Sequence, residues 1–226
     1  MFDAVAPYLA FWGTGALITL VLSVAAFPVA IALGIAAALA ASTGRGPRAR
    51  IAVSYLALFR ALPEVLVIFA IFYGSTVFLR RLEAWTEISF PDVSPVLAAL
   101  VALSLQFGAY AAVIFSDWLR VFPRGLLEAG AAVGMTNGQV RLRILVPLLL
   151  RQSTPALGNL MLVLLKVSAL VSLIGVEELS RRTTIVAGST RDPLLCYAIA
   201  AAMYLAITAV TSTAQAWIET RIRATG

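Results

Sequence analysis

The sequence predicts an all-α membrane protein of about five transmembrane helices, with the N-terminus outside, the C-terminus inside and a long cytoplasmic loop between spans three and four. Composition is the first reason. Of 226 residues, 61% are hydrophobic and 12% charged, with a mean hydropathy of +0.95; a soluble domain carries about 25% charged residues. The second is where the charges are missing. Residues 4–44, 65–79, 93–116, 152–165, 167–176 and 193–218 hold none, and about 20 apolar residues cross the hydrocarbon of a bilayer. The third is physical: a segment in lipid must satisfy its own backbone groups, so each such run is read as helix.

The spans are expected near 10–40, 51–79, 94–116, 153–175 and 194–218, within a single domain covering 1–226. No Gly/Ser-rich linker, low-complexity tract or internal repeat divides the chain. The opening "MFDAVAPYLAFWG" has no basic start, so it reads as a retained first span rather than a cleaved signal. "STGRGPRAR" ends that span with glycine and proline breakers. Orientation follows from the arginines. With the N-terminus outside, ten fall on inner segments (Arg45, Arg48, Arg50, Arg120, Arg124, Arg141, Arg143, Arg151, Arg221, Arg223) and five on outer ones (Arg80, Arg81, Arg181, Arg182, Arg191). Positive residues favour the cytoplasmic side.

Several function classes drop out. The net charge of +6 comes from arginines at the ends of apolar runs, which reads as topology rather than a nucleic-acid surface. There is no histidine, so neither a His-based metal site nor a catalytic triad is available, and Cys196 alone excludes an intrachain disulfide. The chain lacks a G-x-x-x-x-G-K-S/T phosphate loop and is not itself an ATPase.

The cytoplasmic loop, 117–152, contains "RGLLEAGAAVGMTNGQVRLRILVPLLLRQ". Glu128 to Val133 is helix-forming, and Gly134 is placed to cap it in the left-handed conformation. Thr136 with Gln139 fits a capping box opening a second helix. That helix is expected to expose Arg141 and Arg143, to turn Leu142, Ile144, Leu145 and Val146 toward apolar partners, and to end at Pro147. Periodicity alone describes an amphipathic helical pair at the membrane surface.

The spacing says more. Glu128-Ala129, Gly134 six residues after the glutamate, Ile144 ten after that glycine and Pro147 three further on resemble the cytoplasmic signature of membrane subunits of ATP-binding cassette importers. Gly130 stands where that pattern usually has a second alanine. "RALPEVLVIFAIFYG" and "PALGNLMLVLLKVSALVSLIGVEEL" extend the likeness, from about Gly13 to Glu219. They resemble the polar amino acid branch of type I importers, particularly histidine/lysine/arginine and opine permeases.

This resemblance implies a multi-pass subunit of the bacterial inner membrane, forming the translocation pathway for basic amino acids (histidine, lysine, arginine, ornithine) or opines. Its implied partners are a second permease, related or identical, two cytoplasmic ATPases that bind ATP and Mg, and a periplasmic substrate-binding protein. The chain itself is expected to hold no cofactor and no metal. Glu128, Ala129 and Gly134 are carried over as the coupling element that docks on an ATPase, with Thr136 and Gln139 added from the capping argument. An ion-coupled carrier, which usually shows repeats, and a structural subunit that transports nothing are the alternatives.

Charges inside spans cost about 2.5–3.5 kcal/mol each on insertion scales. Three qualify: Arg60, Glu64 and Lys166. Arg60 and Glu64, four apart, read either as a helical ion pair or as a structural arginine beside a cavity carboxylate exposed by Pro63. The resemblance favours the second, because basic amino acid and opine permeases carry an acidic residue after this proline. Lys166 fits a usual family pattern and a structural role. Asn159 reads as a substrate hydrogen-bonder or as an interhelical bond worth about 0.6 kcal/mol. Leu160 stands where some relatives have glutamate, which leaves acidic recognition to Glu64. Thr14 is the candidate contact on the first span; Thr19, Ser104 and Gln106 are weaker ones.

Overall fold

A computed structural model describes residues 6–44 and 46–224, with the backbone alone for residues 6, 223 and 224. Arg45, one of the inner arginines counted above, lies outside the described residues, as does the Arg223 side chain. Among the described residues every regular element is helical, without strands. A 3-10 turn (Ala6–Tyr8) leads into α1 (Leu9–Ser42), followed by α2 (Pro47–Ala61), α3 (Glu64–Thr86), α4 (Pro95–Val121) and α5 (Arg124–Ala132). Next come α6 (Asn137–Val140), α7 (Val146–Val167), α8 (Leu179–Thr190) and α9 (Pro193–Ala224). A π turn, Arg141–Leu145, joins α6 to α7, and a 3-10 stretch, Ser168–Ile174, prolongs α7.

Five helical segments are long and apolar enough to cross a membrane: Leu9–Ser42, Glu64–Thr86, Pro95–Val121, Asn137–Ile174 and Pro193–Ile222. The number agrees with the sequence; two boundaries do not. The expected second span, 51–79, is two helices. Pro63 has no N–H and pushes the residue before it out of helical geometry, so Leu62 is extended (φ −91°, ψ 137°) and α2 ends there. With 23 residues, α3 is about 35 Å long, enough to cross hydrocarbon on its own.

The helical segment that holds the fourth span begins at Asn137 rather than near 153, because Pro147 does not end the helix. Val146 N–H reaches back five residues to the Arg141 carbonyl. This wider turn accommodates a proline that would otherwise clash with the preceding turn. The same turn moves Leu142 outward: it is 72% exposed, against the expectation of apolar partners, while Val140 and Leu145 are buried.

The main core is centred on α1 against α4. Their facing sides carry Ala26, Ala30, Ala37 and Ala38 on one helix and Ala98, Ala99, Ala102, Ala111 and Ala112 on the other, all buried. Small residues let two backbones approach, which is how helices associate where no hydrophobic drive exists between them. The approach is closest at Gly34, where an added Cβ would lie 2.7 Å from Ala111 Cβ and 3.0 Å from Ala112 N. Phe107, Phe115, Leu149 and Leu164 fill the space beside this seam.

A smaller core joins α1, α8 and α9 through Trp12, Leu179, Val186, Ala187 and Cys196. Glu178, wholly buried, ties the same three helices. Its carboxylate accepts from Ser180 N and Arg181 N at 2.9 Å, capping α8, and from Thr19 Oγ1 at 3.2 Å and Tyr204 OH at 3.0 Å. Burial pushes its carboxyl above the usual carboxylate range, against the pull of those four donors.

The α1–α4 seam generates a stability prediction. Gly34→Leu forces a side chain into backbone and should cost about 1–3 kcal/mol, read as a lowered unfolding temperature of the purified protein in detergent. Gly74→Leu, at a position with nothing within 4 Å of the new Cβ, should leave that temperature unchanged.

Candidate functional site

The break between α2 and α3 organises a polar cluster. In an unbroken helix the Phe59 carbonyl would accept from the N–H of residue 63, and Pro63 has none. Gln106, on α4, supplies the missing donor: its Nε2 lies 2.7 Å from Phe59 O. The same Nε2 is 2.9 Å from the Tyr110 hydroxyl, which donates to Glu64 Oε1 at 2.8 Å. Glu64 is the first residue of α3 and half-buried. A carboxylate is favoured there, where the helix dipole is positive and N–H groups are free. Gln106 is 1% exposed, and its Oε1 has no hydrogen-bond partner.

The helical ion pair between Arg60 and Glu64 does not form. The break puts the two residues on different helices, so four-residue spacing no longer stacks them, and among the described residues no carboxylate lies within 4.0 Å of Arg60. Arg60 is exposed and lines a cavity of about 590 Å³ between α1, α2 and α4.

The other candidates do not gather at Glu64. Thr14 bonds its own helix at Phe11 O (2.9 Å) and receives Arg182 Nη1 from α8. Ser104 Oγ meets Ala26 O and Gly34 faces Ala111, so Tyr110 stands opposite residues 32–33 of α1. Thr14 is therefore about 27 Å away along the helix axis. On α7 the buried residues Leu157, Leu160, Met161 and Leu164 form one stripe, with the three- and four-residue spacing of an inward helix face. Leu160 is 7% exposed and belongs to that stripe. Asn159, turned off that stripe, is exposed and forms no hydrogen bond to Glu64. Lys166 is exposed in the last turn of α7, where a cation suits the helix dipole. Ser104 and Thr19 serve helix packing.

Two residues that sequence reasoning missed or ranked low prove central. Tyr110 carried no signal, since one tyrosine in an apolar span is ordinary. Gln106 was detectable in principle: a proline inside an apolar run frees one carbonyl, and a buried amide elsewhere is a suitable donor for it.

Within the loop 117–152 the two expected caps form. Gly134 is left-handed (φ 84°), with Met135 N bonded to Gly130 O and Gly134 N to Ala131 O. That pair of bonds is a Schellman end to α5. Thr136 and Gln139 form the reciprocal capping box, at 2.9 and 3.3 Å. Gly130 packs on α6 and the π turn; a Cβ there would lie 2.8 Å from Ile144 Cδ1 and 3.2 Å from Val140 Cγ2. Glu128, Ala129, Gly134, Thr136 and Gln139 are all exposed.

The chain is similar to known proteins over most of its length. Residues 30–224 match the family described as "Binding-protein-dependent transport system inner membrane component". The chain is 36% identical to an arginine ABC transporter permease protein of Escherichia coli (strain K12), over 84% of this chain and 85% of that one. It is 31% identical to the histidine/lysine/arginine/ornithine transport system permease protein of the same organism, over 92% and 91%. An octopine transport system permease protein of Rhizobium radiobacter is 31% identical, over 90% and 86%. Among solved structures, an amino acid ABC transporter crystallised with histidines matches with a TM-score of 0.79 and 27% identity over 98% of both chains. The inward-facing methionine ABC transporter matches at 0.72 with 18% identity, covering 96% and 98%, and supports the fold alone. The chain belongs to the permease family of binding-protein-dependent transport systems, as one of its inner membrane components.

Proposed function

We propose that this chain is the transmembrane subunit of an ATP-driven importer of cationic amino acids or opines, with Glu64 as the carboxylate that receives the cation. The carrying observation is a carboxylate at the α2–α3 break, held by Tyr110 and unpaired with any cation. The relatives named for arginine, for histidine/lysine/arginine/ornithine and for octopine support the substrate class. A cationic substrate would neutralise Glu64. A neutral amino acid would leave it desolvated and unpaired, at a cost of about 1–3 kcal/mol. Asn159 remains a second substrate contact in this proposal, on the exposed side of α7.

The unit works as a single domain with a second permease, two ATPases that bind ATP and Mg, and a periplasmic binding protein. Its N-terminus lies outside the bacterial inner membrane and its C-terminus in the cytoplasm. In this scheme α5 and α6 are the coupling element. Both are capped, so the element moves as a unit, and α6 runs through the π turn directly into α7. Closure of the ATPases would then tilt α7 rather than bend a linker. Family membership speaks against the ion-coupled carrier and the transport-inactive subunit.

Three experiments test these assignments. Glu64→Gln should reduce uptake of a cationic substrate at least tenfold in proteoliposomes, with assembly and basal ATP hydrolysis retained; wild-type uptake would return Glu64 to a structural role. Glu128→Lys should abolish substrate-stimulated ATP hydrolysis without affecting membrane insertion, and unchanged stimulation would refute the docking assignment. Impermeant thiol labelling should reach Glu83→Cys only from outside and Gln139→Cys only from inside. The native Cys196, which is buried, should contribute little background.

A further inference from the structure

We propose that the groove between α1, α7 and α9 holds a phospholipid whose headgroup carries both a phosphate and a primary ammonium. Arg151 receives the phosphate and Glu219 the ammonium. The ligand is a resident of the membrane rather than a transported solute, so the site is independent of Glu64.

The groove encloses about 650 Å³, within the range of about 300–1,000 Å³ typical of small-molecule sites. Its apolar wall comes from Val24, Phe27 and Ile31 on α1, Leu157 and Met161 on α7, and Ile218 on α9. Three polar side chains in the wall spend their donors on backbone carbonyls. Gln215 Nε2 donates to Gly158 O at 2.8 Å, Thr154 Oγ1 to Leu150 O at 3.0 Å and Thr211 Oγ1 to Ile207 O at 2.8 Å. Val24 and Ile218 are exposed, so the groove is open at the flank of two spans, where the medium is lipid or another membrane chain.

The two charges that line the groove lie toward one end of it, and they decide between those occupants. Arg151 Nη2 donates to Ile222 O at 2.8 Å, and a Cβ at Gly158 would lie 3.5 Å from Glu219 Oε1. Residues 151–158 of α7 thus run antiparallel to 222–215 of α9, with both charges toward the 117–152 segment. From Arg151 to Met161 the groove follows α7 for about 15 Å, half of the roughly 30 Å hydrocarbon core and so the acyl depth of one leaflet. Trp217, exposed beneath the Arg221 guanidinium, stands on the same stretch of α9. Exposed tryptophans of spans collect at headgroup level. Protein neutralises neither charge: among the described residues no carboxylate lies within 4.0 Å of Arg151 and no cation within 4.0 Å of Glu219. The guanidinium N–H groups not spent on Ile222 suit a phosphate. A headgroup with a phosphate alone would leave Glu219 unpaired beside a second negative charge, so the pair selects a zwitterion.

The test uses the assembled transporter in detergent and two lipids with identical acyl chains, their binding followed by native mass spectrometry. Phosphatidylethanolamine carries both charges; phosphatidylglycerol carries the phosphate alone. Wild type should hold phosphatidylethanolamine about 3- to 10-fold more tightly, the range for one charge-assisted hydrogen bond at a half-exposed group. Glu219→Gln should erase that preference, and Arg151→Gln should weaken both lipids. Ala214→Trp, which fills the groove from its exposed side, should lose both. Comparing two lipids on one preparation removes any effect of partial misfolding. Equal binding of the two lipids by wild type, an unchanged preference in Glu219→Gln, or unchanged binding in Arg151→Gln or Ala214→Trp would overturn the proposal. Failure of wild type to retain either lipid would also overturn it, and would leave the groove to another membrane chain such as the second permease.

Discussion

A single absent donor organises the centre of this protein. Pro63 has no N–H, so α2 stops, the Phe59 carbonyl needs another partner, and Gln106 on α4 provides it. The same amide touches Tyr110, and Tyr110 holds Glu64. Removing one backbone hydrogen bond thus links two helix ends to the middle of α4 and frees a carboxylate from its neighbouring arginine. Buried polar chains of this kind polarise one another, and each member depends on the next being in place.

That cluster needs a fixed background, which α1 and α4 supply. Alanines and Gly34 bring the two backbones together along much of their length. Packing of this closeness leaves little freedom for sliding, so Gln106 and Tyr110 sit at a defined height. At the other end of α1, Glu178 performs a different service. One carboxylate caps α8 with two hydrogen bonds and fastens it to α1 and α9 with two more, from Thr19 and Tyr204. The protein has a packed seam at its middle and a polar clasp near one end.

Much of this was legible in the sequence because it depends on local pattern. The five spans follow from charge-free runs, and the glycine cap and capping box of the 117–152 segment follow from residues only a few positions apart. What escaped depends on distant partners or on backbone accommodation. The 51–79 run is mostly apolar on both sides of Pro63, and the Arg60 and Glu64 beside it read as a pair within one helix rather than as a break. Pro147 looks like a helix stop until a π turn accommodates it, and Leu142 is displaced with it. The contact of Thr14 with Arg182 and the burial of Leu160 also depend on helix register rather than on local pattern. Glu178 could not be found locally, since Thr19 is 159 residues away.

The π turn has a further geometric meaning. Each residue of an α-helix advances the chain by about 100° around its axis, and a π turn inserts one residue without adding a full turn. The azimuth of everything before Arg141 relative to everything after Leu145 is therefore set by this one insertion. Gly130, lodged against Val140 and Ile144, fixes α5 to the near side of the same joint. The exposed face of α5 and the buried stripe of α7 thus stand in a definite angular phase. A one-residue deletion in the turn would rotate one against the other by about a quarter of a revolution without changing a residue of either helix.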